Sequence, residues 1–313
     1  MTGNRLLAPI DQRQVWRQFA KAAKKGVASG IAGGIDDPLA LEIGQRMLER
    51  LDYVRIEPEW ILDLGAGTGH SSQALQNRYP AAKLILLDAV SELLPAPTHT
   101  SSWKNWLGRY FSSRIQKTAS PQSIAGDARR LPLKPSSLDL IWSNMLLPWV
   151  DDISSVFSES HLTLKTGGLF MFSTLGPDTL KSLESCFSGA TPHSHTFPDM
   201  HDLGDLLGHT GFADPVVDME IITVEYSTLS SLLDDLRKAG AGCAHTQRSK
   251  GLTGQLAWQH VESQWKTLAN NTENPKVPIR FEIIYGHAWK TTPKKIADGR
   301  EIIQIHPKLM RSP

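Results

Sequence analysis

The stretch Asp63-Leu64-Gly65-Ala66-Gly67-Thr68-Gly69 follows the apolar run Trp60-Ile61-Leu62 and precedes a helical pattern from Ser71 to Arg78. Because glycine has no Cβ, three alternating glycines allow a tight turn whose backbone N–H groups approach a ligand closely. The spacing does not match the dinucleotide fingerprint Gly-x-Gly-x-x-Gly, since His70 occupies the position expected for the third glycine. The stretch therefore predicts a strand, a ligand-binding turn and a helix, and Asp63 favours a ligand with a cationic end.

Further strand patterns follow this turn. Lys83–Asp88 is an apolar run that ends in a carboxylate, and Leu138–Asn144 is a second run. Leu169–Ser173 is a third, preceded by a helix with a glycine stop over His161–Gly168. The loop Ala125-Gly126-Asp127-Ala128 contributes another acid. Strand and helix patterns alternate, which implies a parallel sheet.

In this order and spacing the motifs resemble those of the class I S-adenosylmethionine-dependent methyltransferases. The resemblance implies an α/β, Rossmann-like fold with a seven-stranded, mostly parallel sheet, helices on both faces and an antiparallel last strand. It implies S-adenosyl-L-methionine as the cofactor, with Asp88 accepting from the ribose hydroxyls, Asp127 from the adenine amino group, and Asn144 beside the methyl position. The expected cofactor-binding residues are Asp63, Gly65, Ala66, Gly67, Thr68, Gly69, Asp88, Ala89, Asp127, Ala128 and Asn144.

The composition limits the function classes. The chain has 313 residues, 40% of them hydrophobic, and its net charge of +1 gives no general support for nucleic-acid or membrane binding. Cys186 and Cys243 show no metal or redox spacing, and no apolar run approaches membrane-spanning length. His193, His195 and His201 have no carboxylate or cysteine to complete a metal site. We expect a cytoplasmic enzyme with no metal and with neither nucleic-acid nor membrane partners.

The N-terminal region allows two interpretations. Residues 1–35 contain six basic residues and one acid, a composition typical of mitochondrial transit peptides. Val15, Phe19 and Ala22 instead recur at helical spacing. This second pattern favours a helix over about 11–25 that docks on the domain.

The sequence divides into four regions. These are N-terminal helices or a lid at 1–57, a cofactor-binding core at 58–180 with an insertion at 91–122, the rest of the sheet with acceptor-side helices at 181–290, and a basic tail at 291–313. Asp37-Pro38 is expected to begin a helix. Beyond the core, the patterns predict helices over 178–187, 202–210, 228–238 and 254–268, and strands over 216–226 and 279–289, the last of them at a sheet edge.

Segments outside the core carry a closer resemblance. They are similar to the malonyl-acyl-carrier-protein O-methyltransferases of biotin synthesis, and the likeness covers most of residues 11–290. The segments are Phe19-Ala20-Lys21-Ala22-Ala23, Ser173–Leu180, Phe197–Asp202, Leu236–Ala241, Gly251–Gly254 and Tyr285–Lys290. One position departs from the family pattern, because Gly26 stands where the first helix usually has a tyrosine that covers the cofactor and substrate pocket.

The resemblance implies a reaction. The family transfers the methyl group of S-adenosylmethionine to the free carboxylate of malonyl-acyl carrier protein, giving the methyl ester that primes pimeloyl synthesis. This carboxylate is already ionised at pH 7, so no general base is expected. Alternatives are a methyltransferase with another acid acceptor, or a relative of the mitochondrial assembly factors that hydroxylate an arginine of a protein subunit.

Three residues are candidates for the acceptor side. Arg248 follows the Gly240-Ala241 turn and carries a guanidinium that matches a carboxylate. Tyr285 and His287 on the last strand are expected to line the pocket. An exposed loop arginine and packed sheet residues are the alternative interpretations.

Acyl carrier protein is strongly acidic, so its docking site needs a local basic patch. One candidate cluster is Lys104, Arg109, Arg114 and Lys117 in the insertion, together with Arg129 and Arg130. A second is Arg13, Arg17, Lys21, Lys24 and Lys25 in the first helix. A solvated basic face explains either cluster equally well.

Overall fold

One mixed sheet runs through the protein. Its strands are β1 (Trp60–Leu64), β2 (Lys83–Asp88), β3 (Gln122–Ala125), β4 (Leu138–Ser143), β5 (Leu164–Leu175), β6 (Ala213–Tyr226) and β7 (Val277–Trp289). In the computed structural model, which describes residues 9–29, 35–95, 121–189, 191–251, 253–269 and 275–292, they lie in the order β3-β2-β1-β4-β5-β7-β6. Strands β1 to β5 are parallel, whereas β7 is antiparallel to both of its neighbours.

Helices connect these strands within the described ranges. They are α1 (Gln12–Ala28), α2 (Pro38–Arg50), α3 (His70–Arg78), α4 (Ile153–Thr163), α5 (Lys181–Glu184), α6 (Met200–His209), α7 (Leu229–Lys238) and α8 (Gln255–Thr267). Side chains cap several of their first turns: Asp11 accepts from the Gln14 N–H, and Asp37 from the Ala40 N–H. None of the helices in the described ranges is long and apolar enough to cross a membrane.

The sheet separates two hydrophobic cores, because successive strand residues point to opposite faces. Ile61 and Trp142 belong to the core that α2, α3, α7 and α8 cover. Leu62, Ile141 and Phe172 belong to the core that α4 and α6 cover. The fold class expected from the sequence is therefore confirmed: a seven-stranded, mostly parallel sheet with helices on both faces and an antiparallel last strand.

Two boundaries differ from the sequence prediction around β5. The helix expected to run to a glycine stop ends at Thr163, because Leu164 already pairs with Leu138 of β4. The Gly167 N–H donates to the Lys290 carbonyl, so this segment continues as strand. Most of the predicted insertion 91–122 and most of the basic tail from 291 lie outside the described residues, and the four-region division stays a prediction.

The helix predicted over 178–187 is reduced to the single turn α5. The reason is a buried carboxylate on β7: Glu282 accepts a hydrogen bond from the Asp178 N–H at 2.7 Å and fills the space beside Gly176. A Cβ at Gly176 would lie 2.4 Å from Glu282 Cδ. The Leu180 N–H also donates to a β7 carbonyl, so the chain is held along the strand before α5 begins.

The predicted edge strand is an interior strand. Strand β7 lies between β5 and β6, and β6 forms the edge of the sheet. Strand pattern and length do not specify which neighbour a strand pairs with. The antiparallel insertion of β7 has a further consequence, because its beginning lies at the sheet edge where the other strands end.

We predict that Gly286→Ala destabilises the protein. Gly286 faces Phe172 across the β5–β7 pair, and an added Cβ would lie 2.2 Å from Phe172 Cζ in a packed core. We expect a loss of about 1–3 kcal/mol in the free energy of unfolding, measured by urea titration. Gly208→Ala is the control, since α6 leaves open space there and alanine should be neutral or slightly stabilising. Equal stability of the two variants would contradict this packing.

Candidate active site

The glycine turn lies at the carboxyl end of β1. Gly65, Gly67 and Gly69 all have positive φ angles, of 77°, 52° and 81°. Side chains other than glycine adopt such angles at a cost. Gly65 also has no room for a Cβ, which would lie 2.8 Å from Leu146 Cβ. The turn is held by the Gly65 and Ala66 N–H groups, which donate to the Leu87 carbonyl of β2.

Asp63, near the end of β1, stabilises the glycine turn through a contact with α3. Its side chain is buried, with 1% of the residue exposed, and it accepts a hydrogen bond of 2.5 Å from Ser72 Oγ of α3. Burial raises the pKa of Asp63 to about 7. Asp63 does not reach the cavity above the turn, so the structure gives it a positioning role between β1 and α3.

Asp88 connects the tip of β2 to the glycine turn. Its Oδ2 accepts from the Gly67 N–H at 3.0 Å, and its Oδ1 accepts from the Val90 N–H at 2.8 Å. Burial raises the pKa of this half-buried carboxyl. Each oxygen of an ionised carboxylate has a further lone pair, so two ligand hydroxyls can still be accepted.

Asp127 is held by an arginine. Arg129 Nη2 lies 2.6 Å from Asp127 Oδ2, and Arg129 Nη1 lies 2.5 Å from Asp151 Oδ1. Burial opposes ionisation of Asp127, but the hydrogen bonds and charge of Arg129 outweigh it and hold its pKa below the usual value. Arg129, proposed from the sequence as a docking cation, is thus engaged inside the protein, whereas Arg130 is exposed.

Asn144 fastens α2 to the end of β4. Its Nδ2 donates to the Ala40 carbonyl at 2.9 Å, and its Oδ1 accepts from Ser173 Oγ at 2.8 Å. Gly44 allows this close approach, since a Cβ there would lie 3.0 Å from Asn144 Nδ2. The amide is thereby fixed at the edge of the cavity.

A cavity of about 770 Å³ lies over the carboxyl edge of the sheet. Of the eleven residues expected to bind the cofactor, Asp63 and Gly69 lie outside its lining, and the other nine line it. The volume falls within the range of small-molecule and cofactor sites. The N–H groups of Gly65, Ala66 and Gly67 are engaged within the protein and fix the shape of the turn. The two acids at separate strand ends are acceptors that match the hydroxyl and amino donors of a nucleoside. These residues therefore fit S-adenosylmethionine.

The other half of the cavity is aromatic and is covered by α1. Trp16 and Phe19 line it, and Phe19 contacts Trp149 edge-on with ring centroids 5.3 Å apart. Gly240 has φ of 75° and makes room for Phe19, whose Cδ1 would lie 2.7 Å from an added Cβ. Helix α1 is thus packed on the domain, as the docked-helix interpretation predicted. Gly26 is buried in its last turn and lies outside the cavity lining.

His195 joins the segments that roof this aromatic half. Its Nε2 accepts from the Ala244 N–H at 2.7 Å, which leaves the proton on Nδ1, 3.3 Å from the Pro148 carbonyl. Burial lowers the pKa of His195 and keeps the ring neutral. Both ring nitrogens are engaged, and within the described residues no three His, Cys, Asp or Glu side chains gather as a metal site.

The three residues proposed for the acceptor lie outside the lining of the cavity. Arg248 donates to the His245 carbonyl and lies 3.6 Å from Asp11, where it holds the start of α1. The Tyr285 hydroxyl donates to Glu220 at 2.5 Å. His287 lies still further along β7, opposite Met171. Because β7 is antiparallel, its early residue Phe281 reaches the cavity instead.

Several lining residues were not selected from the sequence. The aromatic half of the cavity is also bordered by Trp149, Phe197, Tyr226 and Asp235. Tyr226 is the last residue of β6, which runs parallel to β5 and therefore ends at the same edge. Ligands of open α/β sheets bind at the carboxyl ends of the strands, so the end of β6 could have identified Tyr226 as a lining residue from the sequence.

Comparisons with known proteins agree with this geometry. A family model described as a methyltransferase domain matches residues 62–172. The chain is 39% identical to a malonyl-[acyl-carrier protein] O-methyltransferase of Gallionella capsiferriformans over 302 residues, 96% of this chain and 98% of that protein. It is 40% identical to one of Nitrosospira multiformis over 289 residues, 91% of each. The YcgJ protein of Bacillus subtilis has a similar fold, with a TM-score of 0.52 at 14% identity over 79% of this chain and 99% of that chain.

We predict that Asp88→Asn weakens the binding of S-adenosylmethionine. Asparagine keeps the shape but loses the charge that strengthens hydrogen bonds from hydroxyl donors. We expect a cost of about 1.5–3 kcal/mol, a factor of about 10 to 150 in the dissociation constant measured by calorimetry. Asp218→Asn on β6, an exposed residue outside the cavity lining, is the control. Unchanged affinity in Asp88→Asn would remove this carboxylate from the cofactor site.

Proposed function

The chain belongs to the malonyl-[acyl-carrier protein] O-methyltransferase family, and from that membership we propose its substrate and reaction. The protein transfers a methyl group from S-adenosylmethionine to the free carboxylate of a malonyl group carried on acyl carrier protein. The product is the malonyl methyl ester that primes pimeloyl synthesis in the biotin pathway. The observation that carries this proposal is a likeness of 39% identity over nearly the whole of both chains, including the segments that roof the cavity.

The chemistry needs positioning more than proton transfer. The cofactor supplies a methyl group on a positively charged sulfonium, which a carboxylate attacks in line. The acceptor carboxylate is ionised at pH 7 without a base, and His195 has both ring nitrogens engaged by backbone groups. Asp88 and Asn144 fix the cofactor side, while Trp16, Phe19 and Trp149 exclude water from the acceptor side. Positioning of this kind supplies about 7–11 kcal/mol of barrier lowering.

The names of the similar proteins favour this reaction over the arginine-hydroxylating assembly factors. The missing family tyrosine at position 26 does not leave the cavity open. Helix α1 presents Trp16 and Phe19 to it from earlier turns. We infer that these two rings provide the cover over the acceptor that the tyrosine provides in other members.

We place the reaction in the cytoplasm. Both cysteines are free thiols, and burial raises the pKa of each, so that neither is an activated nucleophile. Unpaired cysteines are typical of a reducing compartment. Fractionation of the native host followed by immunoblotting would test this location, and recovery with membranes or outside the cell would contradict it.

A methyl-transfer assay tests the reaction. Purified protein, S-adenosylmethionine and malonyl-acyl carrier protein should yield a carrier whose intact mass has increased by one methylene group. Acetyl-acyl carrier protein is the matched control, because it has no free carboxylate and should remain unmodified. Calorimetric binding of S-adenosylmethionine without transfer to the malonyl carrier would retain the cofactor site and exclude this acceptor.

The exposed face of α1 is our candidate for carrier docking. Its basic residues recur at helical spacing and are all exposed: Arg13, Arg17, Lys21, Lys24 and Lys25. Lys24 Nζ lies 3.4 Å from Glu92 Oε1, and within the described residues the other four make no ion pair. The opposite face of the same helix borders the cavity, so a carrier on this face lies close to the acceptor site. The insertion cluster Lys104, Arg109, Arg114 and Lys117 lies outside the described residues.

We predict that the double reversal Arg17→Glu and Lys21→Glu raises KM for malonyl-acyl carrier protein roughly tenfold at low salt. The salt dependence of KM should weaken at the same time, while the affinity for S-adenosylmethionine stays unchanged. The control is Arg55→Glu with Lys134→Glu, which changes the net charge equally at exposed positions before β1 and β4. Equal KM values for the two double variants would exclude α1 as the docking surface.

A further inference from the structure

Among the residues that the structure describes, the lining of the cavity has five aspartates and one arginine. Building on the proposed function, we propose that this acidic lining makes acceptor binding conditional on the cofactor: the malonyl carboxylate enters only after a positively charged cofactor is bound. The enzyme then has an ordered mechanism in which the positive charge of the cofactor, and no cation among the described residues, holds the acceptor carboxylate.

The acids come from several elements around one cavity. Asp36 and Asp37 precede α2, and Asp235 lies on α7. Burial raises the pKa of Tyr226, and the nearby carboxylates Asp235 and Asp37 add to the rise, which shows that these groups are neighbours. Asp88 and Asp127 line the cofactor half of the same cavity. Arg129 is paired with Asp127, and Lys238 Nζ lies 3.4 Å from Asp235, so the unbalanced negative charge comes mainly from Asp36, Asp37 and Asp88.

Asp37 is connected through the backbone of Ala40 to Asn144, which lies beside the expected position of methyl transfer. Asp37 accepts from the Ala40 N–H at 2.9 Å, and the carbonyl of Ala40 accepts from Asn144 at 2.9 Å. Asp36 and Asp235 line the same cavity, so the three carboxylates belong to the site already described and not to a separate one. A carboxylate entering there loses its hydration and faces like charges, which is costly unless a cation is present.

Positive charge is scarce among the described residues of the lining. Arg237 is the single Lys or Arg there; it is exposed, and its Nη1 lies 2.7 Å from Asp234 Oδ1. His193 stacks on Phe187 with ring centroids 3.9 Å apart, and burial lowers its pKa. His195 is neutral for the reasons given above. None of these groups supplies a buried, unshared cation for the acceptor.

The charge balance of the reaction supports the same order. The transfer breaks a carbon–sulfur bond and forms a carbon–oxygen bond, and no proton moves. Sulfonium and carboxylate become a neutral thioether and a neutral ester. If the attraction between those two charges holds the acceptor, it disappears when the methyl group moves, and the carrier-bound ester dissociates more readily than the carrier-bound acid.

Two cofactor analogues that transfer no methyl group separate the effect of the cofactor's positive charge from the effect of its shape. Sinefungin carries an ammonium group in place of the sulfonium, whereas S-adenosylhomocysteine carries a neutral sulfur. We expect malonyl-acyl carrier protein to bind the sinefungin complex at least tenfold more tightly than the S-adenosylhomocysteine complex, a difference of about 1.4 kcal/mol. The protein without either analogue should bind as weakly as the S-adenosylhomocysteine complex. The malonyl methyl ester on the same carrier should show no difference.

Variants test whether the acidic lining is responsible. Asp235→Asn and, separately, the exposed Asp36→Asn should tighten binding to the S-adenosylhomocysteine complex and reduce the ratio between the analogues. Asp205→Asn, an exposed aspartate on α6 outside the lining, should leave the ratio unchanged. Arg237→Ala should also leave it unchanged.

Three results would overturn the proposal. They are equal affinity for the two analogue complexes, no detectable binding to either, and loss of binding to both in Arg237→Ala, which would identify a protein cation as the partner. The methyl-transfer assay on the same preparation separates this failure from failure of the proposed function. Transfer with equal affinities would reject only the binding order, and absence of transfer would reject the acceptor itself.

Discussion

The Asp88 carboxylate is the contact on which the site depends. It accepts the Gly67 N–H with one oxygen and the Val90 N–H with the other, so a single side chain joins the β1 turn to the loop after β2. The Leu87 carbonyl, one residue earlier, accepts the N–H groups of Gly65 and Ala66. The tip of β2 thus defines the shape of the glycine turn, and the turn defines the floor of the cavity. The structural role of these few atoms therefore coincides with the ligand-binding role that we propose for them.

The residues of the cofactor half could be predicted from the sequence because their signals are local: each of them follows the end of a strand. In a parallel sheet the residues after each strand meet at one edge, so the strand ends together with the family resemblance predicted Asp88, Asp127 and Asn144 as cofactor residues, and all three line the cavity. The residues of the acceptor half could not be predicted in the same way. Tyr285 and His287 were expected to line the pocket from their place on the last strand. The antiparallel direction of that strand was predicted, but its register was not, and the register places both residues away from the cavity edge. Arg248 pairs with Asp11, a partner distant in the sequence that no local pattern reveals.

The two halves of the cavity are mechanically connected. Arg129 bridges Asp127 and Asp151, and the Asp151 N–H donates to Gln12 Oε1 at 3.2 Å. Gln12 also donates to the Trp149 carbonyl at 3.0 Å. A continuous set of hydrogen bonds therefore runs from the acid of the cofactor half to the first turn of α1, the helix that roofs the acceptor half. Single charges such as Arg129 acquire their role from this arrangement: Arg129 is paired with two carboxylates, a contact that the run of basic residues in the sequence does not reveal.

The contact between Gly176 and Glu282 has an evolutionary consequence. A side chain at position 176 would occupy the volume that the Glu282 carboxyl fills, and the Glu282 carboxyl holds the Asp178 N–H. A larger residue at position 176 would push the Glu282 carboxyl aside and take the acceptor away from the Asp178 N–H. Among diverging homologues we therefore expect the residues at 176 and 282 to change together, which leaves a record of this loop in the sequences themselves.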